Sequence, residues 1–296
     1  MAEGREWTGV GARDPERHAR VMSWNVLAAG LDTTGGFEHV AAAPQSIAFA
    51  VRWPALLAEV RLHAPDCLVL QECNGWEQWW QPALRELGYQ GDWVSKTSSP
   101  AARLGAPPDG CAVLWSTRAG WVPTDAAAPH RYTAAAGGSQ VALWSRARRR
   151  SDGAQLAVAT THLKAKGDHA AVRARQAQEL RSWLVDRPTD VIAGDWNAVP
   201  SEPAVQGMLE AGWHSVHPLD GRHWTTWKRR QATGELRHQI DYIWYRGGAQ
   251  PRWVPVRWAG PLLTLDQGPL PRPGGYPSDH VSQLVDLAPA AATPHW

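Results

Sequence analysis

"DVIAGDWN", residues 190–197, decides how the chain is read: a short apolar run stops at Gly194, and an acid and an amide, Asp195 and Asn197, follow at once. A run this short, bounded by polar residues, reads as a strand rather than a helix. The same layout recurs. "RVMSWNVLAAG" (20–30) carries Asn25, "CLVLQEC" (67–73) carries Glu72, and "QLAVATTHL" (155–163) closes on His162. Asp241 interrupts "QIDYIWY" (239–245), and Asp279 and His280 precede "VSQLVDL" (281–287). Any one polar residue at a strand end reads as a turn cap. A whole set of acids, amides and histidines at such ends reads as a site, because strand ends converge on one face of a packed α/β domain.

Between these strands lie two further ones, "GCAVLWS" (110–116) and "VALWSRA" (141–147), and two helical patterns. "RWPALLAEVRLHAPD" (52–66) places Pro54 at a first helical position, with Leu56, Leu57 and Val60 at helical spacing; "AVRARQAQELRSWLVD" (171–186) is amphipathic. The Pro, Gly and Ser content of 97–109 and 260–277 marks loops rather than linkers. The economical organisation is a flexible N-terminal lead over 1–18, one catalytic domain over 19–288 and a tail over 289–296.

Bulk composition narrows the function classes. With 296 residues and 44% hydrophobic content the chain buries a sizeable core, and a net charge of +2 advertises no broad polycation, so any anion site is local. Of the 30 basic residues only Lys96, Lys164, Lys166 and Lys228 are lysine; the other 26 are arginine. The cysteines, Cys67, Cys73 and Cys111, show no CxxC pairing, which points to a reducing cytoplasm. The first twenty residues lack an apolar core of the signal-peptide kind, and no apolar run approaches the ~18 residues of a membrane span. GxSxG, Walker A and GxGxxG motifs are missing, against serine hydrolase, P-loop and dinucleotide-fold readings. Asn and Glu supply hard oxygen ligands suited to Mg²⁺, with Mn²⁺ as the alternative, and histidines beside acids suit phosphate binding and proton handling.

"SWN", "LQE", "THL", "GDWN", "DYIW" and "SDH", in this order, resemble the signature set of the endonuclease/exonuclease/phosphatase superfamily. The resemblance implies a deoxyribonuclease-I-like fold, a four-layer αββα sandwich with two mixed β-sheets face to face and helices outside. "QPALRELGYQGDWVSK", "PPDGCAV", "THLKAK", "WTTWK", "RHQIDYIWY" and "YPSDHVS" resemble the nocturnin and deadenylase-like branch, whereas 120–150 and 246–275 match it poorly. Trp196 and Lys166 stand where that branch usually carries Phe and Arg.

That branch implies a Mg²⁺-dependent phosphoester hydrolase that removes the 2′-phosphate of NADP⁺ or NADPH to give NAD⁺ or NADH. The alternatives are a 3′–5′ exoribonuclease or poly(A) deadenylase acting on an RNA 3′ end, and a non-catalytic RNA-binding scaffold. The resemblance assigns the metal to Glu72 with Asn25, and Asp279 as a further ligand. It assigns Asp195 and Asn197 to the phosphate, Asp195 orienting or deprotonating water. His162 and His280 donate to phosphoryl oxygens, and Asp241 fixes the His280 ring; an Asp241 paired with Arg237 or His238 is the structural alternative. Lys96, Lys164, Lys166 and Arg237 complete the expected set as substrate-binding cations, Lys164 and Lys166 pointing to one side if the strand continues past His162. Lys228 and Lys96 have a blander reading as surface residues. The run "RARRR" (146–150) reads as a hairpin turn around "SDG", and the pair Trp79–Trp80 as core packing. No membrane or obligate protein partner is expected.

Overall fold

The computed structural model describes residues 5–33, 36–230, 234–247, 251–262 and 268–290. In chain order the first sheet takes β1 (Arg5–Gly9), β2 (Ala19–Asn25), β3 (Cys67–Asn74), β4 (Tyr89–Ser95) and β5 (Asp109–Ser116). The second takes β6 (Trp121–Pro123), β7 (Ala128–Arg131), β8 (Val141–Arg149), β9 (Gln155–His162), β10 (Val191–Asp195) and β11 (Trp213–Ser215). A two-stranded ribbon, β12 (Thr226–Arg230) and β13 (Gly234–His238), precedes β14 (Asp241–Arg246), which joins the second sheet. The chain then returns to the first sheet as β15 (Trp253–Leu262) and β16 (Gln283–Pro289). The orders are β1-β15-β16-β2-β3-β5-β4 and β11-β14-β10-β9-β8-β6, with β7 also paired to β8.

Side-chain alternation sorts each strand between two cores. Val21, Val69, Val113 and Trp115 from the first sheet meet Leu143, Val158, Val191 and Ile243 from the second. The opposite face of the first sheet, with Met22, Trp24, Leu68 and Leu70, packs under α1 (Phe49–His63), α2 (Gln81–Glu86) and the turn before α2 through Leu56, Val60, Trp80 and Leu84. After the short α3 (Pro100–Arg103), α4 (Ala170–Trp183) and α5 (Pro203–Glu210) cover the second sheet, setting Ala177, Leu180, Val205 and Met208 against Ala159, Ile192 and Trp244. Strands buried on both faces read as continuous apolar runs, which is why "CLVLQEC" and "DVIAGDWN" were visible. The result is the four-layer αββα sandwich.

Several local details differ from the sequence reading. Residues 5–9 of the lead form the edge strand β1, where Trp7 lies beneath the Arg20 and Arg257 guanidinium groups at 4.6 and 4.3 Å. Pro54 lies inside α1, which begins a turn earlier at Phe49. The cause is tertiary: the buried Arg52 guanidinium donates to the carbonyls of Val26, Leu27, Ile47 and Pro277 and pairs with Asp32 at 3.0 Å, pinning the first turn. The poorly matching segments supply β6, β7, β8 and β15. Trp80 is fully buried on a single π-helical turn, Trp76–Trp80. The "SDG" turn joins β8 to β9, but Arg146–Arg149 belong to β8, and Arg149 is buried against the His18 and Arg17 carbonyls rather than solvated. Residues 291–296 of the expected tail lie outside the described residues.

Buried side-chain bonds tie the facing sheets together: Trp115 Nε1 donates to Ser145 Oγ at 2.9 Å, and Gln71 Nε2 donates to Thr160 Oγ1 at 3.1 Å. Trp115→Ala empties a fully buried, tryptophan-sized inner-core site and should cost about 3–5 kcal/mol of stability. Urea unfolding monitored by circular dichroism checks this; a loss below about 1 kcal/mol would mean that the inner layer collapses freely around the cavity.

Candidate active site

Parallel pairing of β10 with β9 places Asp195 opposite His162, and antiparallel pairing with β14 places Asp195 opposite Asp241. Three residues far apart in sequence thus share one rung, with their side chains on one face. Gly194 makes the rung close: its φ is +154°, and a Cβ there would come within 2.1 Å of the Thr161 carbonyl oxygen. No other residue type fits that approach.

The first sheet contributes Asn25 at the end of β2 and Glu72 in β3. Asn25 Nδ2 donates to Asp195 Oδ2 at 2.9 Å, across the gap between the sheets. The pairing of β3 with β5 breaks register between Leu70 and Cys73, and Glu72 sits in this bulge with φ +54°. Bulges re-aim side chains, and a left-handed glutamate is strained backbone held by its surroundings. Asn197 is also left-handed, at φ +49°, and its N–H donates to Asp195 Oδ1 at 2.8 Å. Glu72 and Asn197 are the two members of the set that reach solvent; Asn25, His162, Asp195, Asp241, Asp279 and His280 are buried.

His280 is held from all sides. Its N–H donates to Ser278 Oγ at 3.2 Å, its carbonyl accepts Trp24 Nε1 at 2.8 Å, and it bridges to Thr226 of β12. The ring Nδ1 lies 2.9 Å from Asp241 Oδ2, which also accepts the Thr225 hydroxyl at 2.6 Å. Asp241 therefore pairs with His280 rather than with Arg237 or His238. Burial alone would lower the His280 pKa, but the Asp241 carboxylate overrides it and raises the ring to about 9. On the other side of the ring, Nε2 lies 3.1 Å from Lys228 Nζ, and Lys228 pairs with Asp279 Oδ2 at 2.7 Å. Burial works against Asp279, yet Lys228 and His280 hold it down at about 2.

His162 has the opposite fate. Burial, then the Lys96 charge and the His280 and Lys228 charges, push its pKa well below the ordinary value, so the ring is neutral. Its Nδ1 lies 3.1 Å from Lys96 Nζ and its Nε2 lies 3.5 Å from Asp195 Oδ2. Burial and the neighbouring Asp241 raise Asp195 to about 6, against the pull of His280 and the Asn25 hydrogen bond.

Four expected substrate cations are placed differently from the reading. Lys96 is buried and ion-paired to Asp109 at 2.6 Å, behind His162 rather than at the mouth. Strand β9 ends at His162, and Lys166 takes φ +82°, so the alternation expected for Lys164 and Lys166 does not extend to them. Among the described residues neither ammonium has a hydrogen-bond or ion-pair partner; Lys164 is half-buried and Lys166 exposed. Arg237 lies exposed on the ribbon, its guanidinium 3.8 Å over the Trp227 ring. The residue that sequence reasoning missed is Lys228. Its signal was present, a rare lysine inside "WTTWK", but nothing in the sequence shows that the ribbon folds back onto His280.

Asp195, Asp241 and His280 each offer a ligand atom within 4.8 Å of the others. Here, however, Asp241 is occupied by Thr225 and His280, and His280 carries a proton, which makes this trio a proton-sharing network first. The oxygen donors of Glu72 and Asn25 fit a hard divalent cation better: Glu72 Oε2 accepts only the Ala28 N–H, at 3.1 Å, and no cation contacts Glu72 among the described residues. Asp279, expected as a further ligand, is committed to Lys228, although its Oδ1 is buried without a hydrogen-bond partner.

Such a fold, with acids and histidines at the strand ends of two facing sheets, defines a phosphoester hydrolase. A model of the Endonuclease/Exonuclease/phosphatase family matches residues 22–280, and the chain belongs to that family. Nocturnin of Homo sapiens is 33% identical over 304 residues, covering 96% of this chain and 69% of that protein; Nocturnin of Xenopus laevis is 32% identical, covering 92% and 73%. The chain spans about two thirds of the length of these curated relatives. Among solved structures, the human Nocturnin catalytic domain with bound sulfate anion superimposes with a TM-score of 0.75 at 27% identity, covering 97% of each chain. ANGEL2, a 2′,3′-cyclic phosphatase, shares the fold at a TM-score of 0.77 and 18% identity, covering 98% of this chain and 99% of that one. Enzymes of this family are metal-dependent. Among the described residues no helix is long and apolar enough to cross a membrane.

Replacing Asp241 by Asn removes the charge that holds the His280 proton, so the ring pKa should fall from about 9 toward or below the ordinary 6.5. Histidine-labelled NMR titration reads it directly; an unmoved titration would show that Asp241 only packs. The linkage has a definite sign. A folded-state pKa above the ordinary 6.5 contributes stability that is fully present below about pH 6.5 and is lost as pH rises through about 9. The alkaline fall in stability should therefore flatten in the variant.

Proposed function

We propose that the chain is a Mg²⁺-dependent phosphomonoesterase that removes the 2′-phosphate of NADP⁺ and NADPH. The observation that carries the reading is the pair formed by Lys228 Nζ and His280 Nε2, 3.1 Å apart. With His280 protonated both groups are donors without an acceptor between them. They repel each other, and a phosphoryl oxygen seated against both relieves that repulsion. The opposing wall supplies the neutral His162 and the partly exposed Asn197 amide. This is a compact clamp for one phosphate rather than a basic track for several. The net charge of +2 and the likeness to Nocturnin, whose human catalytic domain holds a sulfate anion, support the small ligand.

The geometry supports the following residue roles. Glu72, with Asn25, would hold the cation, which supplies Lewis-acid polarisation of a phosphoryl oxygen. Asp195, with both oxygens hydrogen-bonded by Asn25 and Asn197, orients water and takes its proton. His162 donates a hydrogen bond, and the His280 imidazolium, held by Asp241, neutralises charge on the opposite side and can release its proton. Lys164, half-buried, and Lys166, exposed, lie on the loop after β9 and are the expected lysines free to meet the rest of a dinucleotide. A reducing compartment such as the cytoplasm fits the three free, buried cysteines.

Purified protein with Mg²⁺ should release phosphate from NADP⁺ faster than it trims oligo(A). Lys164→Ala should lower kcat/KM on NADP⁺ by on the order of ten- to hundredfold, with a smaller loss on an aryl phosphate. Oligo(A) outcompeting NADP⁺ by orders of magnitude would replace this reading with an exoribonuclease. Glu72→Ala or EDTA should abolish turnover on every substrate while leaving the fold intact, since Glu72 lies at a solvent-facing strand end; full activity in EDTA would remove the metal from the account.

The charge states set the pH profile. Activity should rise as Asp195 deprotonates near about 6 and fall as His280 loses its proton near about 9. His280→Ala and Asp241→Ala should each remove most of the rate, with a double variant far from additive. Small, additive losses would make Asp241 structural.

A further inference from the structure

Lys96 follows β4, Asp109 opens β5, and the two meet where the hairpin between them pairs Ser95 with Gly110. Lys96, Asp109 and His162 are 6%, 0% and 3% exposed. Asp109 Oδ2 lies 2.6 Å from Lys96 Nζ, while its other oxygen takes the Ser99 hydroxyl, whose oxygen in turn accepts the Asp109 N–H at 3.0 Å. The Lys96 N–H donates to the Asp109 carbonyl at 2.9 Å, so backbone and side chain both hold the lysine in place. Asp109 takes one of the ammonium's donors, and another is turned to His162 Nδ1 at 3.1 Å.

An ammonium offers three donors and no acceptor. The contact with His162 is therefore a hydrogen bond from Nζ to a lone pair on Nδ1, and a neutral ring must carry its proton on Nε2. That nitrogen faces Asp195 Oδ2 at 3.5 Å, on the catalytic rung. We propose that Asp109 and Lys96 are positioning residues that fix His162 as a neutral imidazole with its proton on Nε2, aimed into the phosphate site. The inference rests on the role of His162 given above, and it replaces direct substrate contact by Lys96. The same ammonium also keeps the ring from charging, in line with the direction of its pKa. His162 then donates in every catalytic state, and proton exchange is left to His280.

Nitrogen-15 NMR of the histidine rings decides the matter without any assay of turnover. In the wild-type protein His162 should show an unprotonated, hydrogen-bonded Nδ1 and a protonated Nε2 across the accessible pH range. Lys96→Met alone would strand the Asp109 carboxylate, so the test variant is Lys96→Met with Asp109→Asn, which removes both charges together. In it the His162 ring should regain a titration near the ordinary range or populate both tautomers. With NADP⁺ as substrate, kcat should fall on the order of tenfold or more while KM stays within about twofold. A wild-type His162 protonated on Nδ1 or cationic at neutral pH would overturn the proposal. So would a variant that raises KM and leaves kcat unchanged, since Lys96 would then be gripping substrate. Lys96→Arg keeps a donor-only cation and, if folded, should retain the wild-type tautomer; a lost Nε2 proton in folded Lys96→Arg would likewise count against it. If the protein hydrolyses no phosphoester at all, the spectroscopic outcome still stands or falls alone.

Discussion

The site hangs on one buried carboxylate that both sheets share. Asp195 is 1% exposed, and its two oxygens are tied to different layers: Oδ2 to Asn25 of the first sheet, Oδ1 to the backbone of Asn197 beyond its own strand. A charge in this position is tolerable only with such donors around it. The sheets must therefore meet at a fixed distance and register, or the Asn25 bond is lost and the carboxylate is stranded. Gly194 lets β10 approach β9 closely enough to keep His162 on the same rung. The inner core supplies the cohesion, and Asp195 sets where the two halves of that core may come to rest.

How much of this was legible follows from the physics of each feature. Periodicity and end residues announce strands, so Asn25, Glu72, His162, Asp195, Asn197, Asp241, Asp279 and His280 could be picked out, and the sandwich followed from the family resemblance. Register cannot be read the same way. That Asp195 faces both His162 and Asp241 depends on which strands become neighbours, a long-range outcome with no local signal. Helix α1 began early because Arg52 reaches back to the Leu27 and Ile47 carbonyls, a tertiary contact that local spacing around Pro54 could not foretell. The lysines were noticed for their rarity but assigned by strand alternation, which fails once β9 ends. Lys164 and Lys166 lie past that end, whereas Lys96 and Lys228 reach the histidines from other strands.

Trp196 shows how a substitution within a motif is absorbed. Its indole is fully buried on the outer face of the second sheet, edge-on to Trp244 at 5.6 Å and near Tyr242 at 6.5 Å. It points away from the rung, because its neighbours Asp195 and Asn197 face the site. The larger ring is a matter of outer-layer packing, and the Tyr242 hydroxyl beneath the same loop lies 2.7 Å from the Ala198 carbonyl and 2.9 Å from the Gln239 carbonyl, its one proton shared between them.

The two histidines carry the deepest regularity in the site. Each has a lysine against one ring nitrogen and an aspartate behind that lysine: Asp109–Lys96–His162 on one side, Asp279–Lys228–His280 on the other. Matching surroundings should give matching rings, yet one is neutral and the other cationic. The difference is the second nitrogen. His280 turns its Nδ1 to Asp241 at 2.9 Å, whereas the nearest acid to His162 Nε2 is Asp195 at 3.5 Å, already shared with Asn25 and rising in pKa itself. Environments that push two like groups apart divide their labour, and here a single carboxylate makes the division. The arrangement also gives two of the four lysines, Lys96 and Lys228, places beside the two histidines. At Lys96 a compact ammonium stands between the Asp109 carboxylate at 2.6 Å and the neutral His162 nitrogen at 3.1 Å and bonds both, whereas at Lys228 it bonds the Asp279 carboxylate at 2.7 Å and stands as a second donor against the protonated His280 ring at 3.1 Å.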